Sequence, residues 1–201
     1  MTPAIAAPLS IPAVLSLRRL SVDEYLRLIE AGILANAEKL ELLNGYMVEK
    51  VSRNPPHDLV LGLTEDAILA LLPGGWFRRS QSSVTTPDSV PEPDIAIVRG
   101  QRRDYTGRHP GPQDLALVVE VADSSLAQDR TVKGPIYASA GVPVYWIVNI
   151  PDRRVEVHSD PTGPAAVPSY RQRSDFGEQD SVPLVLDGAE VGRIAVRDLL
   201  P

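Results

Sequence analysis

The sequence predicts an α/β fold in which helices flank a central mixed β-sheet, with an additional β-hairpin. Three observations point that way. Apolar β-like runs dominate the middle of the chain: "DIAIV" at 94–98, "LALVVEV" at 115–121 and "VPVYWIVNI" at 142–150. Helical patterns lie on either side of these runs in sequence. Strands and helices do not alternate regularly, which favours a mixed sheet over a purely parallel one. The 201 residues, 43% of them hydrophobic, suffice for one well-packed domain. The expected division is an N-terminal arm over 1–18, flexible or oligomerising, and a single domain over 19–201.

Taken in order, "SVDEYLRLIEAG" (21–32) begins with a capping box, Ser21 with Glu24, and Gly32 stops the helix. "KLELLNGYMVEKV" (39–51) reads as two strands around Asn44-Gly45, the strongest short hairpin signal. Leu59, Val60, Leu63, Ala67, Ile68, Leu71 and Leu72 recur at helical spacing within 56–75, and Pro73-Gly74-Gly75 ends that helix. "WFRRSQSSVTT" (76–86) is β-like, and a loop over 99–113 separates the runs at 94–98 and 115–121. A short helix over 129–141 carries Pro135 near its first turns and stops at Gly141. The runs 142–150 and 153–159 form a hairpin across Pro151-Asp152. The polar, Pro-rich tail from 160 carries one more strand, 182–188, and a terminal helix near 193–200.

Composition removes several function classes. With no cysteine, a disulfide scaffold and a thiolate zinc site are excluded, and a reducing compartment is the direct reading. The formal net charge of −6 argues against a protein that coats nucleic acid nonspecifically, because such binding rests on Lys and Arg neutralising phosphates. The apolar start "MTPAIAAPLSIPAVLSL" lacks a basic leader, and Pro3, Pro8 and Pro12 break any signal-type helix. No run reaches the roughly 20 apolar residues that span a bilayer. The expectation is a cytoplasmic protein with no membrane partner.

Two carboxylates interrupt apolar runs. Asp94 opens one strand and Glu120 lies near the end of another. If those strands are neighbours, both acids reach one point. Two hard oxygen ligands there suit Mg²⁺ or Mn²⁺, with the backbone carbonyl of Val121 as a further ligand. Such an ion activates water and offsets charge on a phosphate. Lys133, on the helix that follows the Glu120 strand, is the candidate to hold the attacking water.

The ordered set "ELLNGYMVEK", "PPH", "PEPDIAIV", "LVVEVADSS", "K…IYASAGVPVYWIVN" and "RRVEVH" resembles the Uma2 (DUF820) family over roughly residues 20–160. That family belongs to the PD-(D/E)XK, or restriction-endonuclease-like, superfamily. The resemblance implies a restriction-endonuclease-like core and a Mg²⁺-dependent endonuclease acting on phosphodiester bonds in DNA. It makes Asp94 the motif aspartate, Glu120 the motif glutamate, Glu41 an early acidic position and His57 a histidine ahead of the long helix. The superfamily's lysine two residues after the glutamate is Ala122 here, and Lys133 takes its place. Asp123-Ser124-Ser125 replaces the usual Ser-Pro-Ser, so Asp123 adds a charge beside the expected ion, either as a ligand or as a spoiler.

Each residue also has an ordinary reading. Asp94 could cap a turn after Pro93. Glu120 could face solvent on one strand face, although its flanking valines favour burial with a partner. Most helix lysines are solvated, Glu41 fits an outward strand position, and His57 fits a helix start. Arg99, Arg102, Arg103 and Arg108 in the loop, with Arg78 and Arg79, either meet phosphates or are plain surface arginines. A catalytically silent binding or regulatory protein on the same fold is the rival to a nuclease, and a scaffold with structural carboxylates is the second. A homodimer is expected, because cutting two strands suits a two-fold pair of sites and the apolar N-terminus needs cover.

Overall fold

The protein is described by a computed structural model over residues 17–34 and 36–201. The expected N-terminal arm lies outside the described residues, apart from Leu17 and Arg18. The chain runs α1 (Val22–Glu30), β1 (Leu40–Leu43), β2 (Tyr46–Glu49), α2 (Pro55–Leu71), β3 (Trp76–Ser80), β4 (Ile95–Arg99), β5 (Leu115–Ala122) and α3 (Leu126–Gln128). A π-helical turn, Asp129–Lys133, joins α3 to α4 (Gly134–Ala140). Then follow β6 (Val144–Asn149), β7 (Arg154–Pro161), β8 (Tyr170–Gly177), β9 (Ser181–Leu186) and β10 (Ala189–Ala195).

Six strands form the central sheet in the order β3-β4-β5-β6-β7-β8. Only β5 and β6 pair in parallel, and the helical segment 126–140 makes their crossover. The sheet is therefore mixed, as the irregular order of elements predicts. Its two faces are covered differently. One carries Ile95, Ile97, Leu117, Val119, Trp146 and Val148 against α2 and the β9-β10 hairpin. The other carries Ala96, Val98, Val118 and Ile147 against Tyr137 of α4. Burial on both faces explains why these strands read as continuous apolar runs.

Local signals account for the elements near the site. Asn44 and Gly45 both take positive φ, the conformation that a two-residue hairpin turn requires, and Leu43 pairs with Tyr46. The β1-β2 hairpin reaches the main chain ahead of β4 through a bridge between Leu42 and Val90. Asn54 caps α2 by accepting a hydrogen bond from the His57 backbone N–H at 3.1 Å, and Pro55 and Pro56 occupy the first turn, where no donor is missed. Pro135 has no N–H to give, and the ladder adjusts with a π turn in which the Gly134 N–H donates to the Asp129 carbonyl.

Three expectations are corrected. The strand expected over 76–86 ends at Ser80, because Gln81 takes φ 46° and the chain leaves the ladder toward Pro87. The helix expected over 129–141 starts at Leu126. The tail holds more β-structure than expected: β8 joins the main sheet, and 189–195 is a strand paired with β9, leaving only a 3₁₀ turn at Val196–Leu199 of the expected terminal helix. In "YRQRSDFG", β8 has little apolar alternation to read, since most of it is exposed and joined to β7 by cross-strand ion pairs such as Arg154–Asp175.

Candidate functional site

Strand register brings the two acids together. Ile95 pairs with Val119 in the antiparallel β4-β5 ladder, and one further step sets Asp94 opposite Glu120. Alternation puts Asp94 with Ala96, and Glu120 with Val118 and Ala122, on the face covered by 126–140. Both acids are nearly inaccessible, Asp94 8% and Glu120 3% exposed. They line one cavity of about 90 Å³ together with Glu41, His57, Asp123, Asp129 and Lys133.

Lys133 is the centre of the charge arrangement. Its ammonium donates to Glu120 Oε1 at 3.0 Å and lies 3.5 Å from Glu41 Oε1. The Tyr137 hydroxyl donates to the same Glu120 oxygen at 2.9 Å. Lys133 is as buried as Asp94, so the solvated-surface reading of this lysine does not hold. Burial alone lowers its basicity, but Glu120, Glu41 and Asp129 more than reverse that and hold it as an ammonium. Burial pushes Glu120 well above the ordinary carboxyl range; Lys133 opposes this, while Asp129, Asp94 and Glu41 add to it.

Each remaining residue has a definite place. Asp94 Oδ2 accepts from the Val121 backbone N–H at 2.8 Å and lies 3.1 Å from His57 Nε2. Burial lowers the His57 pKa, but the Asp94 hydrogen bond and charge, with Asp58 behind them, outweigh it, and the net direction is upward. The Val121 side chain belongs to the core on the opposite face. Its backbone groups point toward β4, because the neighbouring Ala122 carbonyl is the one that accepts from β6, taking the Ile150 N–H at 3.0 Å. Glu41, brought in by the hairpin, accepts from the Glu92 N–H at 2.6 Å, so it points inward and is not the outward strand position. Asp123 accepts from Asn54 Nδ2. Arg99 sits at the far end of β4, about 17 Å along the strand from Asp94, and pairs with Asp187 at 2.6 Å. Arg102 and Arg103 are exposed on the 3₁₀ turn Arg102–Tyr105.

Asp129 is the residue that sequence reasoning missed. It is buried, receives a hydrogen bond from Ser125 Oγ at 2.6 Å, and its carboxyl is pushed up to about 6, by burial first and by Asp94 and Glu41 besides. The i, i+4 spacing of Ser125, Asp129 and Lys133 was a signal that they share a helix face, although the π turn shifts the phase. The carboxylates of Glu41, Asp94, Glu120, Asp123 and Asp129 thus share one cavity with the Lys133 ammonium, which pairs directly with Glu120 and Glu41. Among the described residues no group of three His, Asp or Glu side chains is arranged to hold a metal ion. The fit to a divalent ion is therefore that of two carboxylates in a cavity with surplus negative charge. This suits Mg²⁺, which keeps several waters and takes one or two protein carboxylates.

Comparison with known proteins adds the lineage. The model of the Uma2 family, described as "Putative restriction endonuclease", matches residues 22–197. A solved structure of "a putative nuclease belonging to DUF820 from Anabaena variabilis ATCC 29413" aligns with a TM-score of 0.66 at 17% identity, covering 90% of this chain and 97% of that one. At that identity the likeness shows a shared fold. Comparison with the curated proteins gives no match. Among the described residues no helix is long and apolar enough to cross a membrane. With the register, the buried acids and the match over nearly all of the described chain in hand, the protein is a member of the Uma2 family.

Proposed function

We propose that this protein is a Mg²⁺- or Mn²⁺-dependent endonuclease that hydrolyses phosphodiester bonds in DNA. The observation that carries the reading is the meeting of Asp94 and Glu120 on one face of neighbouring strands, in a cavity with more carboxylates than cations. Asp94 and Glu120 would hold the ion, with the Val121 carbonyl as a third oxygen. A bound ion there would lower the pKa of a coordinated water and neutralise charge on the phosphate.

The chain's own groups prepare the rest. Lys133 stays an ammonium, so it orients a water and offsets negative charge and does not accept a proton. Glu120 and Glu41 hold that ammonium in place from two sides. His57 and the Val121 N–H fix the Asp94 carboxylate, leaving its other oxygen for the ion. Burial of the cavity keeps the local dielectric low, which strengthens each of these contacts. DNA as substrate belongs to this proposal through the family; the dimer, the cytoplasmic setting and 19–201 as one domain belong to it on the sequence arguments alone.

A catalytically silent member is the second reading, and Ala122 and Asp123 at positions where the superfamily keeps lysine and serine favour it. The test is plasmid and oligonucleotide cleavage with Mg²⁺ or Mn²⁺, comparing the native chain with Asp94→Asn and Glu120→Gln. Metal-dependent cutting that both variants abolish is the expected result. Metal binding without cutting of any substrate supports the silent reading.

A further inference from the structure

The arginines sort by partner. Arg78 pairs with Glu65, Arg99 with Asp187 over the Trp76 ring, and Arg108 with Asp114. Arg79 and Arg102 differ. Neither has a carboxylate within ion-pair distance among the described residues. Arg79 Nε is buried without a hydrogen-bond partner, and its Nη2 reaches only the Ser83 carbonyl, at 3.5 Å. The Arg102 guanidinium lies over the Phe77 ring, 5.8 Å from its centre, on the same side of the sheet. Burial first, and then the charge of Arg102, pull Arg79 below the ordinary arginine value, with Tyr105 opposing them.

Their position relative to the acids follows from the ladder. Arg79 pairs with Ala96, two residues along β4 from Asp94, and directly opposed residues share a face. Strand spacing and rise put the Arg79 and Asp94 Cα atoms about 8 Å apart. Arg79, though not Arg102, lines a groove of about 1400 Å³ bordered by α1 and the 105–113 segment, and Glu92 lines both this groove and the carboxylate cavity. The groove lining also carries Asp23 and Glu30 of α1, Glu38 and Glu92, and its other arginine, Arg108, is already paired with Asp114, so an anion there finds its cation at Arg79.

We infer that Arg79, with Arg102 beside it over Phe77, forms a phosphate subsite that holds a nucleic-acid backbone at the edge of this groove, flanking the phosphate presented to Asp94 and Glu120. Its flanking role rests on the nuclease reading; the binding surface itself does not. Guanidinium is the suitable group, since its planar donor fork meets two phosphate oxygens at once. An anion between the two arginines relieves their repulsion and satisfies the buried Arg79 Nε.

Fluorescence anisotropy of labelled single- and double-stranded oligonucleotides, in EDTA so that nothing is cut, tests this across a salt series. Arg79→Gln with Arg102→Gln should weaken binding at least tenfold and reduce the slope of log K against log salt by about 1–2, the value for one or two lost phosphate contacts. Arg99→Gln should leave both unchanged, and Arg79→Lys should keep part of the affinity. Thermal melting of Arg79→Gln should match the native chain, because this side chain has no ion pair to lose. Native affinity and slope in the double variant overturn the inference. So does a native chain that binds no oligonucleotide, or a melting loss in Arg79→Gln that accompanies unchanged binding. Binding that needs these arginines without cutting under Mn²⁺ fails the nuclease reading alone; Mn²⁺-dependent cutting that ignores them fails this inference alone.

Discussion

Replacing Lys133 by Met removes the cation that Glu120 and Glu41 hold in the carboxylate-rich cavity. The side chains are of similar length, so the change is mainly one of charge. Glu120 and Glu41 lose a partner at 3.0 and 3.5 Å, and Glu120 retains only the Tyr137 hydroxyl among its side-chain donors. Breaking a buried ion pair on one side costs about 3–5 kcal/mol. For a chain of this size each kcal/mol moves the melting temperature by about 2–4 °C, so a drop of roughly 6–20 °C is expected at pH 8. The loss should shrink on acidification, because Glu120, already pushed well above the ordinary range, takes up a proton and no longer needs the ammonium. Adding Glu120→Gln should recover much of the deficit, since the two changes share one interaction. Calorimetric melts of the single and double variants at pH 5 and pH 8 measure all of this. A Lys133→Met melting temperature equal to the native one at pH 8 would refute the reasoning, as would additive effects in the double variant.

Two further predictions concern other buried carboxylates. Asp129→Asn should stabilise the protein at pH 7 by up to about 3 kcal/mol, because the native carboxyl, raised to about 6, resists ionising in the fold. The sign follows from proton uptake: between about pH 4 and pH 6 the folded state holds a proton that the unfolded state has lost, so native stability falls across that window and the Asn variant lacks the fall. Urea melts at pH 4 and pH 7 check it, and a less stable Asn variant at pH 7 contradicts it. Glu156 has the opposite character. It is fully buried on β7, accepts from Arg130 Nε at 3.0 Å and Asn149 Nδ2 at 2.8 Å, and lies 3.3 Å from Arg173 Nη2. Burial works against its ionisation, but the nearby His158, 3.8 Å away, hydrogen bonds from Arg130 and Asn149 and the charge of Arg173 hold its carboxyl far below the ordinary range. Its stabilisation is complete above the unfolded pKa of about 4.3 and declines as pH falls toward the folded value. Glu156→Gln should therefore cost about 3 kcal/mol at pH 7, with the gap narrowing below pH 4; an equal gap at pH 3 and pH 7 would count against it.

Much of the site was readable from residue order alone, for a physical reason. An acid inside a continuous apolar strand must find a partner, so Glu120 in "LVVEV" announced a buried polar site, and Asp94 at the mouth of "DIAIV" offered the second half. Asn44-Gly45 announced the hairpin that delivers Glu41. What stayed hidden depended on tertiary context. Asp129 lies among polar residues, and its burial depends on the π turn before Pro135 and on contact with Tyr145 of β6. The arginines of 78–108 look alike in sequence, and only their distances to Glu65, Asp187 and Asp114 separate the paired ones from Arg79, Arg102 and Arg103. β8 escaped because its pairing rests on charges and backbone and not on apolar alternation. Asp187-Gly188, with positive φ at both residues, was a hairpin signal of the same kind as Asn44-Gly45 and marks the β9-β10 turn.

Crystals grown with Mn²⁺ and measured at a wavelength where manganese scatters anomalously give the most direct test. The account predicts one strong peak bridging the carboxylates of Asp94 and Glu120, at roughly 2.0–2.2 Å from an oxygen of each, and no peak there in Asp94→Asn. A well-ordered cavity with no manganese at saturating concentration, Lys133 still bonded to Glu120 and His57 to Asp94, would contradict it.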